Sequence, residues 1–251
     1  MAKVSVTDPR RLLLAGDWHA NNQWIQKTIR RAKSAGCDAV VQLGDTFYAA
    51  PVRFPSIRVT HKACEEADLH VYWIDGNHDC HRSLAELPVN PATGFKDVTD
   101  RVHYIPRGTR WVWNEVRFLG LGGAFSVDKD YRLASGAFWS PDETITYAQA
   151  HQAAHGGEVD VMFTHDVPLG VPPHLYGVDD SGDRWPLSTA NRQLVRWVVD
   201  ETRPRLLVHG HYHRRYSYNL ALEDGHHVQV EGLHRDTFTE SWEELDIVAG
   251  G

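Results

Sequence analysis

Short apolar runs that each stop abruptly at a polar residue, mostly beside glycine, set the strongest limit on how this chain can fold. Leu12-Leu13-Leu14-Ala15 stops at Gly16-Asp17, the run from Asp38 to Leu43 at Gly44-Asp45, and that from Leu69 to Ile74 at Asp75-Gly76. Two later runs behave alike: Val159 to Phe163 leads into Thr164-His165, and Arg205 to Val208 into His209-Gly210-His211. Runs this short, closed by turn residues, read as buried strands. Helical stretches lie between the first three. One spans about Asn22 to Ala35, with Trp24, Ile25, Ile29 and Ala32 on one face and Gly36 placed as a C-cap; another covers Ser56 to Ala67. Strands alternating with helices predict crossover units and a largely parallel sheet.

The second half reads differently. Val102 to Ile105, Trp111 to Trp113 and Val116 to Leu121 are short strands separated by turns, which suits antiparallel pairing. Ser140-Pro141-Asp142-Glu143 carries an N-cap residue, a Pro at the first helical position and early acids, so a helix is expected to run to about His155. A helix near Thr189 to Glu201 precedes the strand at 205–208, and Tyr216 to Leu220, Val228 to Leu233 and Glu244 to Val248 alternate as strands do. Cys80 to Asp100 and Val167 to Pro186 lack periodicity, and loops of that length in a compact domain usually serve function. With neither repeat nor linker, residues 1–251 are expected to form a single α/β domain of two sheets faced by helices.

Composition narrows the function. A formal charge of −7 argues against an extended nucleic-acid-binding face, which needs clustered Lys and Arg. Cys37, Cys64 and Cys80 fit neither a disulfide framework nor a zinc-finger spacing. No stretch approaches the ~18 apolar residues of a membrane span, and Met1 to Arg11 lack an apolar targeting core. These features predict a full-length cytoplasmic protein with no membrane partner. Sixteen histidines point toward metal chemistry.

The strand ends carry that chemistry. Asp17 and His19 are two apart, so an extended segment would place both side chains on one side, and His211 and His213 repeat the spacing. Asp45, Asn77 and His165 each follow a strand of their own. Open sheets gather ligands at the carboxyl ends of their strands, so these positions converge in one crevice. Singly, each has a structural explanation: a Gly-Asp pair is more often a turn, and Asn77 after Gly76 suits a left-handed one. Together they make coincidence implausible. Imidazoles, carboxylates and one amide oxygen suit Mn, Fe or Zn better than an all-oxygen calcium site.

Gly16-Asp17-Trp18-His19, Gly44-Asp45, Gly76-Asn77-His78-Asp79, Thr164-His165 and Gly210-His211-Tyr212-His213 resemble, in order, the five blocks of the calcineurin-like metallophosphoesterases, in particular the smaller bacterial and phage-type members. The resemblance implies a four-layer sandwich of two mixed β-sheets flanked by helices. It implies a dinuclear metal centre, manganese first, with iron, zinc or a mixed pair as alternatives. Asp17, His19, Asp45 and His213 would hold one ion; Asp45, Asn77, His165 and His211 the other, with Asp45 as the bridge. His78 matches the family's catalytic histidine, which contacts the phosphate and protonates or stabilises the leaving oxygen.

The pattern also departs from the family. Tyr48 stands where an Asp often orients the catalytic histidine, and the phosphate-binding Arg that follows in protein phosphatases is missing. Block three closes on Asp79 rather than Glu. A diester carries less charge than a monoester and depends less on an Arg clamp, so the leading reading is a phosphodiesterase on small nucleotide-like or generic diesters. A phosphomonoesterase or protein phosphatase and a nuclease are the alternatives within the family, and a metal-stabilised interaction module is the non-enzymatic one. His209 is expected behind the ligands rather than among them, and Tyr212, with Tyr131 and Trp139, could stack on a substrate ring. Gly122 to Asp128 reads as a turn or bulge beside the crevice.

Overall fold

The computed structural model describes residues 8–46, 55–136, 138–172 and 186–247. Tyr48 and most of the aperiodic stretch 167–186 fall outside them. The elements run β1 (Arg11–Ala15), α1 (Asn22–Ser34), β2 (Ala39–Gln42), α2 (Pro55–Ala67), β3 (His70–Trp73), α3 (His81–Glu86), β4 (Lys96–Asp97), β5 (Val102–Tyr104), β6 (Thr109–Trp113) and β7 (Val116–Leu121). They continue with α4 (Lys129–Ser135), α5 (Tyr147–Ala154), β8 (Val161–Thr164), α6 (Pro186–Thr202), β9 (Leu206–His209), β10 (Tyr216–Ala221), β11 (His227–Gly232), a 3-10 turn (Thr239–Ser241) and β12 (Trp242–Asp246).

Two mixed six-stranded sheets result, ordered β12-β1-β2-β3-β5-β4 and β10-β11-β9-β8-β7-β6. In the first, β1, β2, β3 and β5 are parallel and the edges β12 and β4 antiparallel. In the second, β11, β9, β8 and β7 are parallel, with β10 and β6 antiparallel at the edges. The period-2 rule explains the layering. Leu12 and Leu14 pack with Val41, Ile74, Phe118, Phe163 and Val208 between the sheets. Leu13 and Ala15 point the other way, onto Ile25 and Ile29 of α1. On the far side of the second sheet, Leu119, Met162 and Leu207 meet Ala150 of α5 and Val195 and Val199 of α6. This is the four-layer α/β sandwich expected from the sequence.

Three local expectations are corrected. The helix expected from Ser140 begins only at Thr146, which caps α5 in a reciprocal box with Gln149. The carbonyls of Asp142, Glu143 and Thr144, which an earlier helix would have used, accept the Arg107 guanidinium instead. The Ile145 N–H donates to the Asn191 side chain at 2.8 Å, completing the diversion. Within the aperiodic stretch 80–100, α3 forms a short helix, and α4 follows the glycine-rich segment at 122–128.

Candidate metal centre and active site

The carboxyl ends of β1, β2, β3, β8 and β9 deliver their terminal residues to one place. Asp17 and Asp45 are buried carboxylates at its centre. The His213 Nε2 lies 2.9 Å from Asp17 Oδ2, and His19 Nε2 lies 3.7 Å from the same oxygen. Asp45 divides its oxygens: Oδ2 is 3.9 Å from His19 Nε2 and 3.7 Å from His78 Nε2, while Oδ1 is 3.4 Å from His165 Nε2. Asn77 turns its Oδ1 to His165 Nε2 at 3.1 Å. The His211 ring centroid lies 5.0 Å from that of His165, and its N–H donates to Asp17 Oδ1 at 3.1 Å. Two groups thus have donor atoms all within 4.8 Å of one another, Asp17-His19-His213 and Asp17-Asp45-His165, and they share Asp17.

The segment at Asp17–His19 is not extended, contrary to the sequence reading. His19, Asp45, His211 and His213 all adopt positive φ (47°, 56°, 67° and 53°), a region that side-chain-bearing residues seldom occupy. The Asp45 carbonyl imposes the first of these turns by accepting both the Trp18 and His19 N–H groups, at 3.3 and 3.0 Å. Strain gathered at one cluster marks a site where geometry outweighs local stability. Glycines make the packing possible. A Cβ at Gly76 would collide with the Asp45 carboxylate, and one at Gly210 with that of Asp17.

Electrostatics single out the same cluster. Among the described residues, no lysine or arginine lies within ion-pair distance of Asp17 or Asp45. Burial, reinforced by Asp17 and Asp79, pushes the Asp45 carboxyl well above the usual carboxylate range. Burial also opposes ionisation of Asp17, but the hydrogen bond from His213 and the charges of His165, His213 and His19 outweigh it and hold this carboxyl low. Burial pushes His211 well below the ordinary histidine range. In His165, burial is overcome by the charges of Asp45 and Asp17, and the imidazole is raised. Such a group of buried anions and imidazoles fits divalent cations, whose charge would reverse this balance.

The surrounding shell fixes tautomers. His165 Nδ1 donates to the Leu43 carbonyl at 2.6 Å, leaving Nε2 for the cluster. His19 Nδ1 donates to Asp236 Oδ1 at 2.9 Å, while Asp236 Oδ2 accepts from Asn21 Nδ2 at 2.7 Å. The Asn77 amide donates to Ser126 Oγ at 2.9 Å, and the Ser126 hydroxyl in turn donates to Glu143 at 2.6 Å. Outer partners of this kind hold metal ligands in orientation. Asp236, Ser126 and Glu143 were missed by sequence reading, although Asp236 follows the expected strand at 228–233 and obeys the same strand-end rule.

The remaining sequence-derived residues separate clearly. His209 is buried, donates from Nδ1 to the Gly210 carbonyl at 2.9 Å and meets the Tyr216 hydroxyl at 2.6 Å, so both nitrogens are engaged away from the cluster. Tyr212 is buried and donates to Asp166 at 2.9 Å, which corrects the expectation of a stacking platform. Asp79 is buried and accepts the Gly76 N–H at 2.9 Å, tightening the turn that presents Asn77 and His78. The His78 N–H donates to Asp45 Oδ1 at 2.8 Å. Burial, with the charges of Arg132 and His19, pushes the His78 imidazole down to about 3.

Comparison with known proteins agrees with this geometry. No curated protein matches the sequence. The fold is similar to that of a protein from Thermus thermophilus at 13% identity, covering 95% of this chain and 99% of that one with a TM-score of 0.52. It is similar also to a dimetal phosphatase from Danio rerio at 14% identity, covering 96% and 94% with a TM-score of 0.54. The profile of the calcineurin-like phosphoesterases matches residues 10–215, and the chain therefore belongs to that family of metal-dependent phosphoester hydrolases.

Proposed function

We propose that the chain hydrolyses small phosphodiesters with two divalent metal ions, manganese first. The observation that carries this reading is the pair of buried carboxylates, Asp17 and Asp45, met among the described residues only by imidazoles and backbone N–H groups. Asp17, His19, Asp45 and His213 would hold one ion, and Asp45, Asn77, His165 and His211 the other. The two Asp45 oxygens, one toward His19 and one toward His165, suit a bridging carboxylate. Bound divalent ions supply an activated water and offset phosphoryl charge. Asp236 and the Leu43 carbonyl hold the Nδ1 protons of His19 and His165, so that each presents Nε2.

His78 is the residue we assign to the leaving oxygen. With its imidazole pushed down to about 3, it is neutral at pH 7, which favours stabilising that oxygen by hydrogen bonding over arriving as a preformed acid. The diester preference is supported by the missing arginine that follows the second motif in protein phosphatases, since a diester depends less on such a clamp. The charge of −7 supports small esters over polynucleotides. Three buried cysteines, none of them in a disulfide among the described residues, support a reducing cytoplasmic setting; among the described residues, no helix is long and apolar enough to cross a membrane.

Metal-reconstituted protein is expected to hydrolyse bis-p-nitrophenyl phosphate faster than p-nitrophenyl phosphate. Replacing His78 by Ala should lower kcat about 10²–10⁴-fold with bound metal unchanged by elemental analysis. Inactivity toward both esters with Mn, Zn and Fe supplied would refute the enzymatic reading, and loss of metal in the variant would refute the role given to His78.

A further inference from the structure

α4 is turned inside out. Of its seven residues, Lys129–Ser135, the one it buries is Arg132, at 7% exposure, while Tyr131 and Leu133 stand 74% and 53% exposed. A surface helix normally buries its apolar residues and leaves its cations in water. Placing a guanidinium inward while a leucine and a tyrosine face solvent is costly, so something at the buried end has to favour the positive charge.

The protein offers little of that itself. Among the described residues, Arg132 has no carboxylate within ion-pair distance, and its guanidinium makes one hydrogen bond, a long one, from Nη1 to Ser126 Oγ at 3.4 Å. Glu143 is the nearby acid in this network, but it accepts the Ser126 N–H at 2.9 Å and the Ser126 hydroxyl at 2.6 Å and stays outside ion-pair distance of Arg132. That same Ser126 hydroxyl accepts from Asn77, and the charge of Arg132 is the second-largest influence on the His78 imidazole. Through Ser126 the guanidinium is joined to Asn77, and it therefore stands at the edge of the metal cluster.

We propose that Arg132 is a catalytic residue, binding a non-bridging phosphoryl oxygen of the substrate next to His78. It would thereby provide, from α4, the guanidinium that the Gly44-Asp45 motif lacks. A planar fork of N–H donors matches phosphate geometry, and a bound phosphoryl anion supplies the counter-charge that the protein withholds. Ser126 then positions both partners, taking Asn77 on one lone pair and Arg132 on the other. A clamp on a non-bridging oxygen serves monoesters and diesters alike. The inference therefore rests on the phosphoesterase activity of the family and the metal cluster, and not on the diester preference.

The test is inorganic phosphate binding by calorimetry to the metal-reconstituted protein, with elemental analysis alongside. Arg132→Met keeps the volume and removes the charge. It is expected to weaken phosphate binding about 10–100-fold, the range for losing a charged hydrogen-bond partner, and to leave bound metal at the wild-type level. Arg132→Lys should fall between the two, and guanidinium ion added to Arg132→Ala should recover part of the lost affinity. Should Arg132→Met not fold, the lysine variant and the guanidinium rescue decide the matter. Equal phosphate affinity in wild type and the charge-free variants would overturn the inference, as would loss of metal, which would make Arg132 a structural prop for Asn77. Failure of wild type itself to bind phosphate would overturn this inference and the proposed metal centre together, so the two failures are distinguishable.

Discussion

Asp236→Ala tests how far the outer shell sets the metal site. In the folded chain this carboxylate takes the His19 Nδ1 proton at 2.9 Å and the Asn21 amide at 2.7 Å, and its own N–H donates to the Asp17 carbonyl at 2.7 Å. The backbone bond survives the substitution, and so does the cap that Asn21 Oδ1 gives to the Trp24 N–H. What is lost is the group fixing which His19 nitrogen faces Asp17 and Asp45. Removing such a partner typically lowers metal affinity 10–100-fold, so the binding free energy should fall by about 1.4–2.7 kcal/mol. With free metal well above both dissociation constants, the stabilisation gained on loading shrinks by about the same amount, which for a chain of this size is roughly 3–10 °C of the metal-induced rise in Tm. The assay is a chelator-competition titration with paired melting curves of metal-free and metal-loaded protein. Asp236→Asn, which keeps an acceptor, should lose less. An alanine variant with wild-type metal affinity, or one whose Tm drops equally with and without metal, would refute the reasoning and leave Asp236 a purely structural residue.

Two further outcomes follow from buried groups around the site. Asp75 is buried against Arg107, which donates from Nε at 2.9 Å and Nη2 at 2.6 Å, and against the Tyr104 hydroxyl at 2.9 Å. Asp75→Asn strands a buried guanidinium and should destabilise the fold by about 3–5 kcal/mol in urea unfolding at pH 7. Burial opposes ionisation of Asp75, but Arg107 outweighs it and holds the carboxyl below its usual range, so its stabilisation is complete above the unfolded value of 3.8 and drains as pH falls further. The gap between variant and wild type should therefore narrow below pH 4; a gap constant across acid pH would show that the Asp75 charge is not what stabilises the site. His209→Phe should retain both metals and lose about 1–3 kcal/mol through the lost hydrogen bonds to the Tyr216 hydroxyl and the Gly210 carbonyl; metal loss on elemental analysis would return His209 to the ligands.

The legible parts of this chain are those in which a local pattern and a tertiary role coincide. Asp17, Asp45 and His165 could be read from sequence because a strand end is both a local boundary and a place in the sheet. The partner of β12 could not, although the sequence predicts a strand at 244–248, since the pairing of Leu245 with Leu12 joins the two ends of the chain and leaves no short-range mark. The late start of α5 has a similar origin: Ser140-Pro141 is a sound local start signal, but Arg107, more than thirty residues away, claims the carbonyls. α4 defeats periodicity altogether, because its apolar residues face out and its arginine faces in. The turn at His19 was misjudged for want of one acceptor, the Asp45 carbonyl, that only the folded chain brings near.

Three strand-end aspartates stand beside glycines, and the fold gives them opposite fates. Asp75 receives a guanidinium and a phenol hydroxyl and is thereby fixed as an anion that supports the turn carrying Asn77 and His78. Asp17 and Asp45 receive imidazoles and backbone N–H groups alone among the described residues. An arginine at either would neutralise the carboxylate permanently and occupy the space of a cation, whereas an imidazole can shed its proton and then offers a donor of its own. Local sequence does not distinguish the three; the difference is where the cations are kept. Arg107 is held by Asp75 behind β3, and Arg132 stands off the two carboxylates at Ser126. The negative cradle is therefore preserved by the placement of arginines around it as much as by the ligands within it.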